Sequence, residues 1–164
     1  MRTGEATDAL LRARDAGKVR YPGYSGDGDD ALQAISMGVF DALQVTFNII
    51  DQSALKEVLP AAERAGMGVV AKRPIANARL LPSDSAHFHG GPHWDPVRQL
   101  LIDEGAWADP LECSLRFTLS HPVINSAIIG TTNVDHAKEN ARRAAAKPLS
   151  QELLNALHNL ALAD

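Results

Sequence analysis

Residues 126–140 read Ser-Ala-Ile-Ile-Gly-Thr-Thr-Asn-Val-Asp-His-Ala-Lys-Glu-Asn. A short apolar run meets Gly130, then a turn rich in hydroxyls and amides, then a charged helical pattern. Strand, glycine turn and helix start, in that order, build an anion site. The first helical turn leaves its N–H groups free, and the helix dipole favours negative charge there. Thr131, Thr132 and Asn133 either bond a phosphate or cap the helix. A second cluster, Lys72-Arg73-Pro74, directly follows another apolar run. Its two cations either hold phosphates or pair with some of the 20 acidic residues. Gln44 lies inside the apolar stretch 42–47, where a buried amide must find partners in the fold or in a ligand.

Other groupings point to blander roles. Gly26-Asp27-Gly28-Asp29-Asp30-Ala31 has the loose spacing of a dinucleotide fingerprint, with Asp41 as its ribose partner. Its carboxylates would repel a pyrophosphate, so the preferred reading is a glycine turn in which Asp27, Asp29 or Asp30 caps a helix. His87, His89 and His93, with Asp95, have the residue types of a metal site. The glycines and proline among them argue against a preorganised one, and no metal is expected. His121 and His158 read as surface or capping residues, and Cys113 as a small buried hydrophobe.

The chain has 164 residues, a net charge of −4 and 45% hydrophobic residues. That suits one soluble globular domain and excludes a basic nucleic-acid footprint. One cysteine excludes an internal disulfide and fits a reducing compartment. No apolar run reaches membrane-span length, and the first residues have no apolar signal core. A cytoplasmic location without membrane partners is expected.

The elements that must position these groups alternate. Strands are expected at 19–25, 42–49, 68–72 and 127–129. Helices are expected at 9–16, 31–37, within 54–65, at 97–103, 111–119 and 135–145, and after Ser150. Pro60 opens or kinks its helix. Residues 74–96 read as a loop. Alternating strands and helices mean parallel βα units, either a small doubly wound sheet or half of a (β/α)8 barrel.

Four segments, 20–26, 44–51, 68–77 and 129–140, resemble in order and spacing the C-terminal half of a bacterial aldo/keto reductase. The resemblance runs from about Leu10 to Leu162. It implies a single incomplete domain over 1–164, an α/β half of a TIM barrel, with four parallel βα units as strands five to eight, a C-terminal helix and a loop insertion at 74–96. It also implies ancestry in NAD(P)-dependent oxidoreduction of aldehydes or ketones. By position, Ser25 and Gln44 match residues that hold the nicotinamide carboxamide. Lys72 stands where many members place an aromatic that stacks on the nicotinamide. Arg73, Pro74 and Ile75 match the pyrophosphate segment. Gly130 and Thr131 replace a frequent Lys-Ser pair near the adenosine 2′-phosphate, and His136 replaces a frequent Arg. Glu139 and Asn140 match the adenine contacts. With those cations gone, both NADP and NAD remain open.

The family's catalytic Asp, Tyr, Lys and His belong to the first half of the barrel. Tyr21 and Tyr24 do not match the Tyr, so no catalytic residue is expected in this chain. Alone it is expected to be inactive or nearly so, with weak or absent cofactor binding. The alternative is a non-catalytic half-barrel that binds dinucleotide or pairs with a partner. A half-barrel leaves its inner sheet face and both edge strands uncovered, which favours pairing with a missing N-terminal half or self-association.

Overall fold

The computed structural model describes residues 4–78 and 94–162. Its centre is one sheet of four strands: β1 (Gly23–Ser25), β2 (Ala42–Thr46), β3 (Gly68–Lys72) and β4 (Ser126–Ile128). They lie in the order β1-β2-β3-β4, each parallel to the next. Seven α-helices are described around them: α1 (Glu5–Asp15), α2 (Gly28–Ser36), α3 (Val58–Arg64), α4 (Trp94–Asp103), α5 (Pro110–Leu119), α6 (Val134–Ala144) and α7 (Gln151–Leu162).

This order decides the layering. Right-handed crossovers between successive neighbours all pass over the same face of the sheet. A doubly wound sheet needs a reversal of strand order, and this sheet has none. Burial agrees with the topology. Leu43, Val45, Val69 and Ala71 are buried, and they pack in one core with Ala31 and Ala34 of α2, Leu59 and Ala62 of α3, and Phe117 of α5. The intervening Ser25, Gln44, Val70, Lys72, Ser126 and Ile128 are half-buried or exposed. Among the described residues, one face is therefore covered by helices and the other is open. Val45, Phe47, Val69 and Ala71 are all buried in the covered core.

Most element boundaries follow local chemistry. Gly17, Gly38 and Gly66 each take positive φ just after a helix, where a Cβ would be strained. Pro60 is the third residue of α3, within the first turn, where its missing N–H costs nothing. A short 3₁₀ turn, Ser53–Leu55, precedes it. The side chain of Ser150 accepts the N–H of Leu153 at 3.2 Å and so caps α7 as expected.

Several expectations need correction. The strand expected from residue 19 begins only at Gly23. Pro22 has no N–H for the ladder, although its carbonyl accepts the N–H of Asp41 at 2.8 Å. Helix α2 starts at Gly28, three residues before its apolar period. The stretch 74–96 is not all loop: Ala76–Ala78 forms a tight turn and α4 begins at Trp94. Pro96 sits in the first turn of α4, where it is tolerated. His87, His89 and His93 lie outside the described residues.

Of the two histidines read as surface or capping residues, His158 is half-buried and His121 is inside the fold. His121 is buried and packs edge-on against Phe47 and Phe117, with ring centroids 4.7 and 4.9 Å away. Its Nδ1 is 2.8 Å from the Phe117 carbonyl and its Nε2 is 2.9 Å from Nε2 of His158. The Nε2 contact requires one of its two nitrogens to be unprotonated; with both rings neutral, Nδ1–H of His121 donates to the carbonyl and Nε2–H of His158 donates to His121. The pair fastens α7 to the end of α5.

Candidate functional site

The candidate groups gather at the C-terminal ends of the strands, on the open face. Parallel register sets the first row: Ser25 lies opposite Gln44. The Ser25 hydroxyl donates to Oε1 of Gln44 at 3.0 Å. Gln44 is half-buried, and this bond gives its Oε1 a partner in the neighbouring strand. The second row sets Thr46 opposite Lys72. Asp27, two residues beyond Ser25, reaches the same row. Its Oδ1 accepts the Thr46 N–H at 2.7 Å, and its Oδ2 lies 3.0 Å from Nζ of Lys72. The Thr46 hydroxyl also donates to Oδ2 at 3.2 Å. Burial alone would raise the Asp27 pKa. The Thr46 N–H and the Lys72 ammonium outweigh it and hold the carboxyl below its ordinary value.

Arg73 extends this row. Its backbone takes the left-handed conformation, φ 57°, immediately before a proline. That is costly for any residue that carries a Cβ, by about 1–3 kcal/mol. The cost is met by anchors on both sides of the peptide. The Pro74 carbonyl accepts from the buried Ser114 hydroxyl at 2.7 Å, and the Arg73 carbonyl accepts the Ala76 N–H at 2.9 Å. The guanidinium donates to the Thr46 hydroxyl at 3.2 Å. Arg73 also lines two clefts. One, about 330 Å³, is lined by Thr46, Asn48, Asp51, Arg73 and Asn77. The other, about 350 Å³, is lined by Arg73, Pro74, Ile75, Ile128 and Gly130.

Residues 3–161 match the model of the aldo/keto reductase family. The chain belongs to the aldo/keto reductase family. It is 23% identical over 167 residues to the uncharacterized oxidoreductase YqkF of Bacillus subtilis, a match that takes 94% of this chain and 54% of that protein. It is 25% identical over 151 residues to L-galactose dehydrogenase of Arabidopsis thaliana, covering 83% of this chain and 45% of the relative. Among solved structures, the holo form of aldo-keto reductase AKR11C1 from Bacillus halodurans superposes with TM-score 0.80 at 23% identity, over 97% of this chain and 56% of that one. An aldo-keto reductase from Klebsiella pneumoniae in complex with NADPH superposes with TM-score 0.72 at 22% identity, over 98% and 54%. The chain thus spans about half the length of the relatives it matches.

The remaining candidate residues divide between the second cleft and α6 with its start. Gly130 lines the second cleft together with Arg73, Pro74 and Ile75. Thr131, Thr132 and Asn133 are exposed at the start of α6. Asn133 is the helix cap: its Oδ1 accepts the N–H groups of Asp135 at 2.8 Å and His136 at 3.4 Å. Thr131 in turn accepts the Asn133 N–H at 3.1 Å. Glu139 and Asn140 are held by their own helix. Glu139 accepts from Arg142 at 2.7 Å, and Asn140 accepts from Arg143 at 3.2 Å. Arg143 then bonds Asp109 at 2.9 Å, tying α6 to α5.

Two members of the site escaped the sequence reading, Asp27 and Thr46. Asp27 read as a helix cap because it precedes α2. Register arithmetic would have found it: a parallel pairing of Ser25 with Gln44 puts Asp27 beside Thr46, and Thr46 pairs with Lys72.

Proposed function

We propose that this chain is the cofactor half of an aldo/keto reductase, strands five to eight of a (β/α)8 barrel. The observation that carries the reading is the polar row on the open sheet face, where Ser25–Gln44, Lys72 and Arg73 line the strand ends beside two clefts. A singly wound sheet open on one face is what half a barrel requires, and ligands of barrels bind at this end. NADP(H) or NAD(H) would lie across these ends. The residues present suit such a ligand: an amide–hydroxyl pair for a carboxamide, and a fork of donors on Arg73 for a pyrophosphate. Bound dinucleotide supplies the hydride.

In this reading Ser25 and Gln44 hold the nicotinamide end, and Arg73, Pro74 and Ile75 shape the pyrophosphate path. Gly130 to Asn133 and His136 border the ribose phosphate, while Glu139 and Asn140 face the adenine. General acid catalysis, worth about 10²–10⁴-fold, comes from the half that carries the family's Asp, Tyr, Lys and His. The edge strands β1 and β4 and the open face are where that half, or a second copy of this chain, pairs. Alone, this chain does not reduce carbonyls.

The test is a titration of the purified chain with NADPH and NADH beside an aldehyde reduction assay. Saturable binding with Kd of order 1 mM is expected, weakened at least about fivefold by Arg73→Ala, with no turnover above background. Turnover abolished by Lys72→Ala would overturn the assignment of the acid to the other half. A lack of saturation would remove the dinucleotide reading.

A further inference from the structure

Asp27 occupies the N-cap position of α2, yet its side chain makes no bond to that helix. Forgoing a cap costs about 1 kcal/mol. The carboxylate is committed instead to the two neighbouring strands, to Thr46 at 2.7 Å and Lys72 at 3.0 Å. Thr46 passes the contact on, accepting from Arg73 at 3.2 Å. The Asp27–Thr46–Lys72 row lies two residues, about 6.6 Å, beyond the Ser25–Gln44 pair on the same open face. The Lys72 side chain is only 20% exposed, so solvent screens its charge weakly toward that face.

We propose that Asp27 is a positioning residue that holds Lys72 beside the nicotinamide ring and cancels its charge, so that the site accepts both redox states of the dinucleotide. The inference rests on the reading that Ser25 and Gln44 receive the nicotinamide carboxamide. An oxidised nicotinamide ring is cationic and a reduced ring is neutral. A lone ammonium beside the ring repels the first and leaves the second untouched. A carboxylate 3.0 Å from that ammonium removes the bias while leaving Lys72 as a donor. Asp27 is suited to this task because it stays ionised well below neutral pH.

The experiment measures the affinities of the full chain for NADP⁺ and NADPH side by side, by ligand-observed NMR, in the wild type, Asp27→Asn, Lys72→Met and the double variant. Asp27→Asn should weaken NADP⁺ binding by about tenfold relative to NADPH. Lys72→Met, which leaves the carboxylate uncompensated, should shift the ratio the opposite way, and this arm stands even if Asp27→Asn fails to fold. The double variant should return to within about twofold of the wild-type ratio. A purely structural role for Asp27 would weaken both forms equally. An unchanged ratio in the single variants therefore overturns the inference and leaves the dinucleotide reading in place. Absence of saturable binding of either form to the wild type overturns both.

Discussion

On the covered face of the sheet Leu43, Val69 and Ala71 are fully buried and Val45 is 1% exposed. One residue along the same strands, Gln44, Val70 and Lys72 face the open side and keep contact with solvent. The covered face is apolar and touches helices. The open face carries an amide, a hydroxyl, an ion pair and an arginine at its C-terminal edge. Alternation with period two lets five-residue strands serve both purposes. The covered face holds the domain together, and the open face gathers its polar groups at the strand ends.

The comparison can be broken most sharply by truncating each face. Leu43→Ala should lower unfolding free energy by about 2–5 kcal/mol, because it opens a cavity in a filled core. Ile128→Ala on the open face should change it by no more than about 0.5 kcal/mol, since Ile128 is already 51% exposed. Urea denaturation of both variants measures the contrast. Equal losses would mean that the open face is packed in solution by something other than water.

Much of the covered face was legible in the residues themselves. The run Gly68–Lys72 is legible to the residue, because Gly66 stops the helix before it and the Arg-Pro pair ends it. The start of α6 was read to within one residue, because Asn133 is a strong cap. What escaped depends on distance in sequence. Asp27 meets Lys72 across 45 positions, and His121 meets His158 across 37. Neither pairing leaves a local pattern. Local signals favour a cap for Asp27 and a surface or capping role for both histidines. Tertiary packing overrode both: Phe47 and Phe117 bury His121, and the strand ends recruit Asp27 away from its helix.

The histidine pair sharpens the covered side further. Burial lowers the pKa of His121, while its bond to the Phe117 carbonyl works against that and the neighbouring His158 adds to it. Burial also lowers the pKa of His158. The unfolded chain therefore binds protons at higher pH than the folded one. The contribution of the pair is fully present above the ordinary value of 6.5, and is lost as pH falls from there toward the folded-state values. Melting temperature should be flat above about pH 7 and decline below pH 6.5. His158→Gln keeps an N–H donor for His121 and removes one titrating ring, so its decline should be shallower. Asp27→Asn should leave this window unchanged, because the Asp27 carboxyl titrates below its ordinary value of 3.8.

We propose that the open face, and not the helical side, receives a dinucleotide. Amide chemical-shift mapping of the labelled chain during an NADPH titration tests it most directly. The account predicts that the largest shifts fall on Ser25, Gln44, Lys72, Arg73 and Gly130, while Leu153 and Leu157 of α7 stay in place. Shifts concentrated on α5 to α7, with the strand ends unmoved, would contradict it.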